Sequence, residues 1–302
     1  MLRSWVLVTG ATGFIGQHLI NDLLTQGFAV IGLTRQVSKQ SEHEHLLWVQ
    51  DFNQIQQKEI DYVINLAGEN IGASRWTNKR KEQLIQSRVG TTRDLFHWLI
   101  KNQIQPKRII SGSAVGFYGI DETEQWQMSC TEDSASQAIF MSELCQKWEA
   151  EALAYPQFDV RIIRLGVVLA KDGGILPQML KPIQLNLVGK IGSGQQPFAW
   201  IHIRDVLAVF KFLFETENTT KIFNVVAPEQ TSQQQFVASS KAILKKHPFL
   251  PLPACVLKLG LGEQSQLVLN GQYVRPQALS DAGFQFQFPD IDTALSDILV
   301  KS

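Results

Sequence analysis

Hydrophobic positions in this chain follow two alternating rhythms. Trp5-Val6-Leu7-Val8 is a short apolar run that predicts a buried strand, and Ile15, Leu19, Ile20, Leu23 and Leu24 then share one side of a helix. Gly27 is placed to end that helix. Residues 29–33 predict a second strand, 61–68 a strand running into a tight turn, and 79–100 a helix anchored by Leu84, Leu95, Leu99 and Ile100. A strand over 108–113, a helix over 142–154 and a strand over 160–165 continue the series. Strands alternating with helices predict a parallel sheet covered on both faces, with the ligand outside the carboxyl ends of the strands. The expected fold is therefore α/β, a Rossmann-type doubly wound parallel sheet.

Beyond residue 168 the rhythm weakens. Residues 169–194 are rich in Gly, Pro and Leu without a clean period, which suits a covering loop with a helix. Trp200-Ile201-His202-Ile203 alternates like a strand, Pro248 to Pro253 is a proline-punctuated extended segment, and Phe284, Phe286 and Phe288 alternate as one apolar strand face. The expected organisation places residues 1–168, with a returning segment at about 199–228, in one larger domain built on the parallel sheet. Residues 169–198 and 229–302 then form a small C-terminal α+β substrate lobe.

Composition narrows the class. The chain has 302 residues, is 44% hydrophobic, and carries 28 basic and 28 acidic residues, so it offers no field for nucleic acid or an anionic membrane. No run of 18 apolar residues suggests a membrane span, and the amino terminus enters the first strand directly, without the pattern of a secretory leader. Cys130, Cys145 and Cys255 are widely spaced, with no Cys-x-x-Cys pair, which fits a reducing cytoplasm and argues against a zinc site. His43 and His45 sit in a polar stretch and read as a solvated loop rather than a metal site.

The chemistry begins at Gly10-Ala11-Thr12-Gly13-Phe14-Ile15-Gly16, between the first strand and the first helix. Glycines at this spacing allow a tight turn, a close backbone approach to a pyrophosphate, and close packing of helix on strand. The helix start supplies unpaired N–H groups and a positive dipole end to the phosphates. Roughly 20 residues further on, NAD-binding folds place an acidic residue against the ribose 2′-hydroxyl. Here the second strand ends in Thr34-Arg35, and a guanidinium grips a 2′-phosphate where a carboxylate would repel it. NADP(H) is the expected cofactor. Asp51 with Phe52, Leu66-Ala67-Gly68 and Ser113 fall at other strand ends and are expected along the same crevice.

Several motifs resemble the extended short-chain dehydrogenase/reductases, the nucleotide-sugar epimerase and dehydratase class. They are the glycine loop, Asn65-Leu66-Ala67-Gly68, Ser111-Gly112-Ser113-Ala114 and Tyr118-Gly119. Trp148-Glu149, Ile191-Gly192-Ser193-Gly194, Trp200-Ile201-His202-Ile203, Asn224-Val225-Val226-Ala227-Pro228 and the tail over 269–286 resemble its atypical epimerase-family subgroup, whose C-terminal domain has no assigned function. The resemblance spans essentially the whole chain. It implies a hydride-moving oxidoreductase or epimerase-like enzyme in which Ser113 matches the active-site serine.

It also exposes a departure. The family relay pairs a tyrosine with a lysine four residues later, and counting back from Trp148-Glu149 those slots fall on Met141 and Cys145. Methionine cannot shuttle a proton, and a thiol with a reference pKa of ~8.5 is no fixed positive charge. The stripe Met141, Cys145, Trp148 reads first as packing on one helical face. Candidates for the missing acid or base are Tyr118, Cys145 facing the nicotinamide, and Glu69, a base if partly desolvated. Arg75, Arg88 and Arg164 are candidates for an anionic group of substrate or cofactor, and His202 reads as structural. The second function compatible with the sequence is a sensor or regulatory module that holds NADPH without turnover. On the enzyme reading the substrate is an unidentified small molecule.

Overall fold

The computed structural model describes residues 3–36, 43–248 and 250–300. Seven strands form its central sheet: β1 (Trp5–Thr9), β2 (Ala29–Leu33), β3 (Leu46–Val49), β4 (Tyr62–Asn65), β5 (Arg108–Ala114), β6 (Val160–Leu165) and β7 (Ile222–Val225). Their spatial order is β7-β6-β5-β4-β1-β2-β3 and every pairing is parallel. Chain order reverses at β1, which lies between β2 and β4, and a crevice opens above their carboxyl ends.

Alternation along β1 shows why helices cover both faces. Val6 and Val8 point into a layer with Leu19 and Ile20 of α1 (Phe14–Thr25). Leu7, between them, points into the opposite layer, with Leu95, Phe96 and Leu99. All three strand residues are fully buried. Each such side chain contributes about 1.5–3 kcal/mol of burial, so a polar replacement on either face would detach a helix layer.

The predicted helix over 79–100 is three pieces: α2 (Asn78–Ile85), a single π-helical stretch at Gln86–Gly90, and α3 (Thr91–Lys101). The widened turn faces the crevice, where Gln86, Ser87, Gly90 and Thr91 form part of the wall. After β5 come α4 (Phe140–Leu153) and β6. Strand β3 had no clear sequence pattern, and helix α6 (Ile203–Glu215) was missed although Ile203, Val206, Phe210 and Leu213 recur at helical spacing. Leu46-Leu47-Trp48-Val49 is a short, half-buried edge strand, and α6 starts abruptly where His202 Nδ1 accepts from the Arg204 backbone N–H at 3.1 Å.

Outside the central sheet, Trp200–His202 pairs parallel with Val167–Ala170, which turns back on Gly173–Gly174. The stretch 169–194 holds α5 (Leu176–Gln184) and strand Val188–Ile191, which pairs with Leu250–Leu252. The apolar strand expected at Phe284, Phe286 and Phe288 is irregular chain instead. Its Gln287 and Phe288 N–H groups donate to the Asp205 carboxylate at 2.8 and 3.0 Å, so a side chain replaces a strand partner. The phenyl rings split between two clusters, Phe284 on the central core and Phe288 stacked on His202.

Helix Ala254–Leu261 is clasped to the loop before α2. Arg75 donates to the Leu259 carbonyl at 3.2 Å and through Nε to the Gly260 carbonyl at 2.9 Å, and Lys81 pairs with Glu263 at 2.6 Å. Among the described residues no helix is long and apolar enough to cross a membrane.

Candidate dinucleotide site

Each glycine of the loop after β1 answers a different constraint. Gly10 has φ +67°, and a Cβ there would stand 2.5 Å from the Leu66 carbonyl oxygen. Gly16 packs the helix against the strand end, since a Cβ would come within 2.4 Å of the Gly10 carbonyl oxygen. Gly13 is extended, at φ −72° and ψ 171°, and its Cβ would meet only the Gly10 oxygen, at 3.1 Å. It is the N-cap of α1 and carries no side chain to satisfy the first turn, so the positive helix end opens on the crevice.

That crevice has a volume of about 1010 Å³. Gly10, Thr12 and Gly13 form one wall; Thr34 and Arg35 close one end; Leu66, Ala67, Gly68 and Glu69 form the facing rim. The turn at 66–68 is held from below. Thr9 donates its hydroxyl to the Asn65 amide oxygen at 2.7 Å and accepts from the Ala67 N–H at 3.2 Å. The Asn65 amide nitrogen donates to Thr92 at 2.8 Å and Ser111 at 3.1 Å, tying β1, β4 and β5 to α3. Asn65 was quoted with the 65–68 motif, but its pairing with Thr9, Thr92 and Ser111 had no signal in the sequence because partner choice depends on the sheet order.

The remaining expected cofactor residues lie elsewhere. Phe14 turns away onto Gly173 and Gly174 and meets His18 edge-on, and Ile15 packs partly buried on the core. Asp51 is exposed and accepts from the Asn53 N–H at 2.7 Å, capping a short 3₁₀ turn; Phe52 stacks on Trp98. Gln50, one residue earlier, is the one that reaches the crevice wall.

Arg164 is corrected most clearly. It is 2% exposed and grips Glu149 with two hydrogen bonds, Nε to Oε1 at 2.9 Å and Nη2 to Oε2 at 2.8 Å. It also donates to the Tyr118 hydroxyl at 2.9 Å and lies over the Phe117 ring at 3.4 Å. Its charge is spent inside the protein rather than on a ligand. Ser113 donates its hydroxyl to Glu149 at 2.6 Å and Tyr118 donates to Asn224 at 2.6 Å, so Ser113, Glu149, Arg164, Tyr118 and Asn224 form one buried circuit, and Ser113, 3% exposed, lies behind the crevice wall on which it was expected. Glu149 belongs to the quoted pair Trp148-Glu149, yet its buried role had no signal without knowing that β6 passes under α4.

Burial sets the acid–base character of the other candidates. It pushes the Tyr118 phenol up to about 12, with Arg164 pulling the other way, so the phenol holds its proton. It pushes the Cys145 thiol up to about 11, with the Glu149 charge adding to the effect, while the thiol donates to the Ala114 carbonyl at 3.7 Å. Cys145 is thus a buried neutral thiol. Met141 packs with Trp76, Leu84, Ile120 and Leu144, and Trp148 donates to Thr92 at 3.2 Å, so the stripe is packing. Glu69 is not desolvated into a base. The Arg80 hydrogen bond holds its carboxyl below the usual range, and Arg35 adds a weaker pull from 3.6 Å. Arg75 serves the C-terminal clasp. Arg88 is tucked under the rim, donating to the Glu69 carbonyl at 2.9 Å and packing on Trp148, with burial lowering its pKa. His202 is buried and pushed down to about 4 by desolvation, a structural cap.

With this geometry in view, residues 6–226 match the model of the NAD dependent epimerase/dehydratase family, and residues 252–298 match a domain of unknown function. An epimerase family protein of Bacillus subtilis (strain 168) is 34% identical over 302 residues, covering 97% of each chain. One of Staphylococcus epidermidis is 33% identical over 303 residues, covering 97% of this chain and 98% of its own. The crystal structure of a human epimerase family protein with NADPH superposes with a TM-score of 0.87 at 32% identity, covering 97% of this chain and 98% of that one. A UDP-glucuronic acid 4-epimerase from Bacillus cereus, in complex with UDP-glucuronic acid and NAD, shares the fold at a TM-score of 0.78 and 17% identity.

Proposed function

The chain belongs to the NAD dependent epimerase/dehydratase family, and from that premise we propose that it is an NADP(H)-binding oxidoreductase or epimerase-like enzyme acting on a small molecule. The observation that carries the cofactor assignment is Arg35, which closes the same crevice that Gly10 and Gly13 line. A guanidinium at the end of β2 favours a phosphate on the ribose 2′-oxygen over a bare hydroxyl. The glycine wall fits the group because a Cβ is absent where a pyrophosphate backbone approach is needed. Gly10, Thr12, Gly13 and the α1 amino terminus would hold the phosphates, Arg35 the 2′-phosphate, and the Leu66–Gly68 rim the adenosine side. The bound cofactor supplies hydride chemistry.

Ser113, at the carboxyl end of β5, is the hydroxyl we assign to the substrate oxygen. Its hydrogen bond to Glu149 fixes its rotamer, and the two-bond grip of Arg164 holds Glu149 in place. Tyr118 is the second candidate acid, although its hydroxyl is committed to Asn224 in this state. The proposed division assigns residues 1–168 and about 199–228 to the cofactor and 169–198 with 229–302 to the substrate, in a cytoplasmic protein.

Titrating both cofactors by fluorescence tests the reading. NADPH should bind more tightly than NADH, and Arg35→Ala should cost about 1.5 kcal/mol of NADPH affinity, the low end for a charge-assisted bond because Arg35 is exposed. Equal affinities in the native protein would remove the 2′-phosphate assignment. A carbonyl and sugar-nucleotide screen for NADPH consumption, comparing Ser113→Ala and Tyr118→Phe with the native enzyme, tests the chemistry. Silence throughout, with tight NADPH binding, would replace an enzyme by a cofactor-holding sensor.

A further inference from the structure

Arg35 does not face the crevice alone. The Glu69 carboxylate lies between two guanidiniums: its Oε1 is 3.6 Å from Arg35 Nη1, while its Oε2 is in a shorter hydrogen-bonded pair with Arg80 Nη1. The two arginines differ in freedom. The Arg35 side chain is 88% exposed, whereas that of Arg80 is 14% exposed and anchored by a second bond from Nη2 to the Asn70 carbonyl at 2.9 Å. Arg80 rises from α2, whose first turn is capped by Thr77, so its backbone is fixed as well. All three side chains line the crevice.

This arrangement poses an electrostatic problem for any anionic ligand. A carboxylate free to swing onto Arg35 would neutralise it and would stand as a negative charge where a 2′-phosphate has to sit. Arg80 holds the carboxylate at a loose 3.6 Å from Arg35 and keeps it from closing further, because the direct hydrogen-bonded contact outcompetes a pair with an exposed, entropically costly partner. We propose that Arg80 is a positioning residue for cofactor choice: it sequesters the Glu69 carboxylate so that Arg35 stays available to the phosphate on the ribose. The inference rests on the reading that this crevice takes NADPH.

The test is a two-cofactor titration of six proteins: native, Arg35→Ala, Arg80→Ala, Arg80→Lys, Glu69→Gln, and the double variant Arg80→Ala with Glu69→Gln. Arg80→Ala should weaken NADPH by about fivefold, the scale of one partly exposed ion pair, and leave NADH within about twofold. The double variant should return NADPH to within about twofold of native, since a neutral amide no longer competes for Arg35. Arg80→Lys, which keeps the charge with less demand on the fold, should retain the NADPH to NADH ratio, and thermal midpoints confirm that each variant is folded. Equal weakening of both cofactors by Arg80→Ala, or failure of the double variant to recover, would overturn the inference. Arg35→Ala probes the underlying reading separately. If it shifts the ratio and Arg80→Ala does not, the cofactor assignment stands and the role of Arg80 falls; if it shifts nothing, both fall.

Discussion

Two glycines three residues apart should separate binding from folding. At Gly13 the backbone is already extended, at φ −72°, and an added Cβ meets one oxygen at 3.1 Å, a few tenths of an ångström inside ordinary contact. Gly13→Ala should therefore cost the fold no more than about 1 kcal/mol, while the methyl projects into the wall that the phosphates approach. NADPH affinity should fall at least about tenfold for Ala and beyond detection for Val. At Gly16 a Cβ would lie 2.4 Å from the Gly10 oxygen and 2.9 Å from two Ala11 atoms, all backbone, against an ordinary contact that begins at 3.4 Å. An overlap of that depth cannot be relieved by a rotamer, so α1 must lift off β1, and Gly16→Ala should cost about 3 kcal/mol or more. Urea denaturation gives the first quantity and fluorescence titration the second. Native-like NADPH affinity in Gly13→Val, or a Gly16→Ala protein as stable as native, would refute the reasoning that distinguishes the two positions.

Breaking the buried pair by Glu149→Gln should destabilise the fold by about 3–5 kcal/mol in urea, because Arg164 is left charged and unpaired; a loss under about 1 kcal/mol would mean water reaches that circuit. In the native protein at pH 8, iodoacetamide should modify exposed Cys255 and spare Cys145, whose pKa of about 11 keeps it a thiol; mass spectrometry of the labelled peptides decides. His202, lowered to about 4 from 6.5, binds fewer protons folded than unfolded, so its contribution is present above pH 6.5 and is lost as pH falls toward 4. Tyr118, raised from 10.0 to about 12, contributes below pH 10 and loses that contribution as pH climbs through 12. Replacing His202 by Gln should flatten the acid limb of a stability–pH curve, and Tyr118→Phe the alkaline limb.

The doubly wound sheet was legible because β1, β2, β4, β5 and β6 are apolar runs punctuated by helices of clear period. The edge strand β3 was not, since four apolar residues beside a polar stretch show no alternation of residue type. In the site, the glycine loop and the 66–68 rim could be placed from spacing alone, because their roles depend on local backbone. Arg164, Cys145 and Glu69 were read for the wrong surroundings. Whether a guanidinium meets a ligand or a buried carboxylate depends on which helix crosses its strand, and that is decided by packing across the whole sheet. Asp51 shows the same limit over a single residue: its neighbour Gln50 reaches the crevice, and Asp51 caps a turn.

The clasp formed by Arg75 and Lys81 gives the C-terminal segment mechanical leverage. Both cations sit in the stretch that also carries Ala73, Ser74 and Arg80 into the crevice wall, and both reach residues 259–263. A tilt of helix Ala254–Leu261 would therefore pull on the same short stretch of chain that forms part of the crevice wall. Trimming the tail would slacken that wall rather than merely remove an ornament.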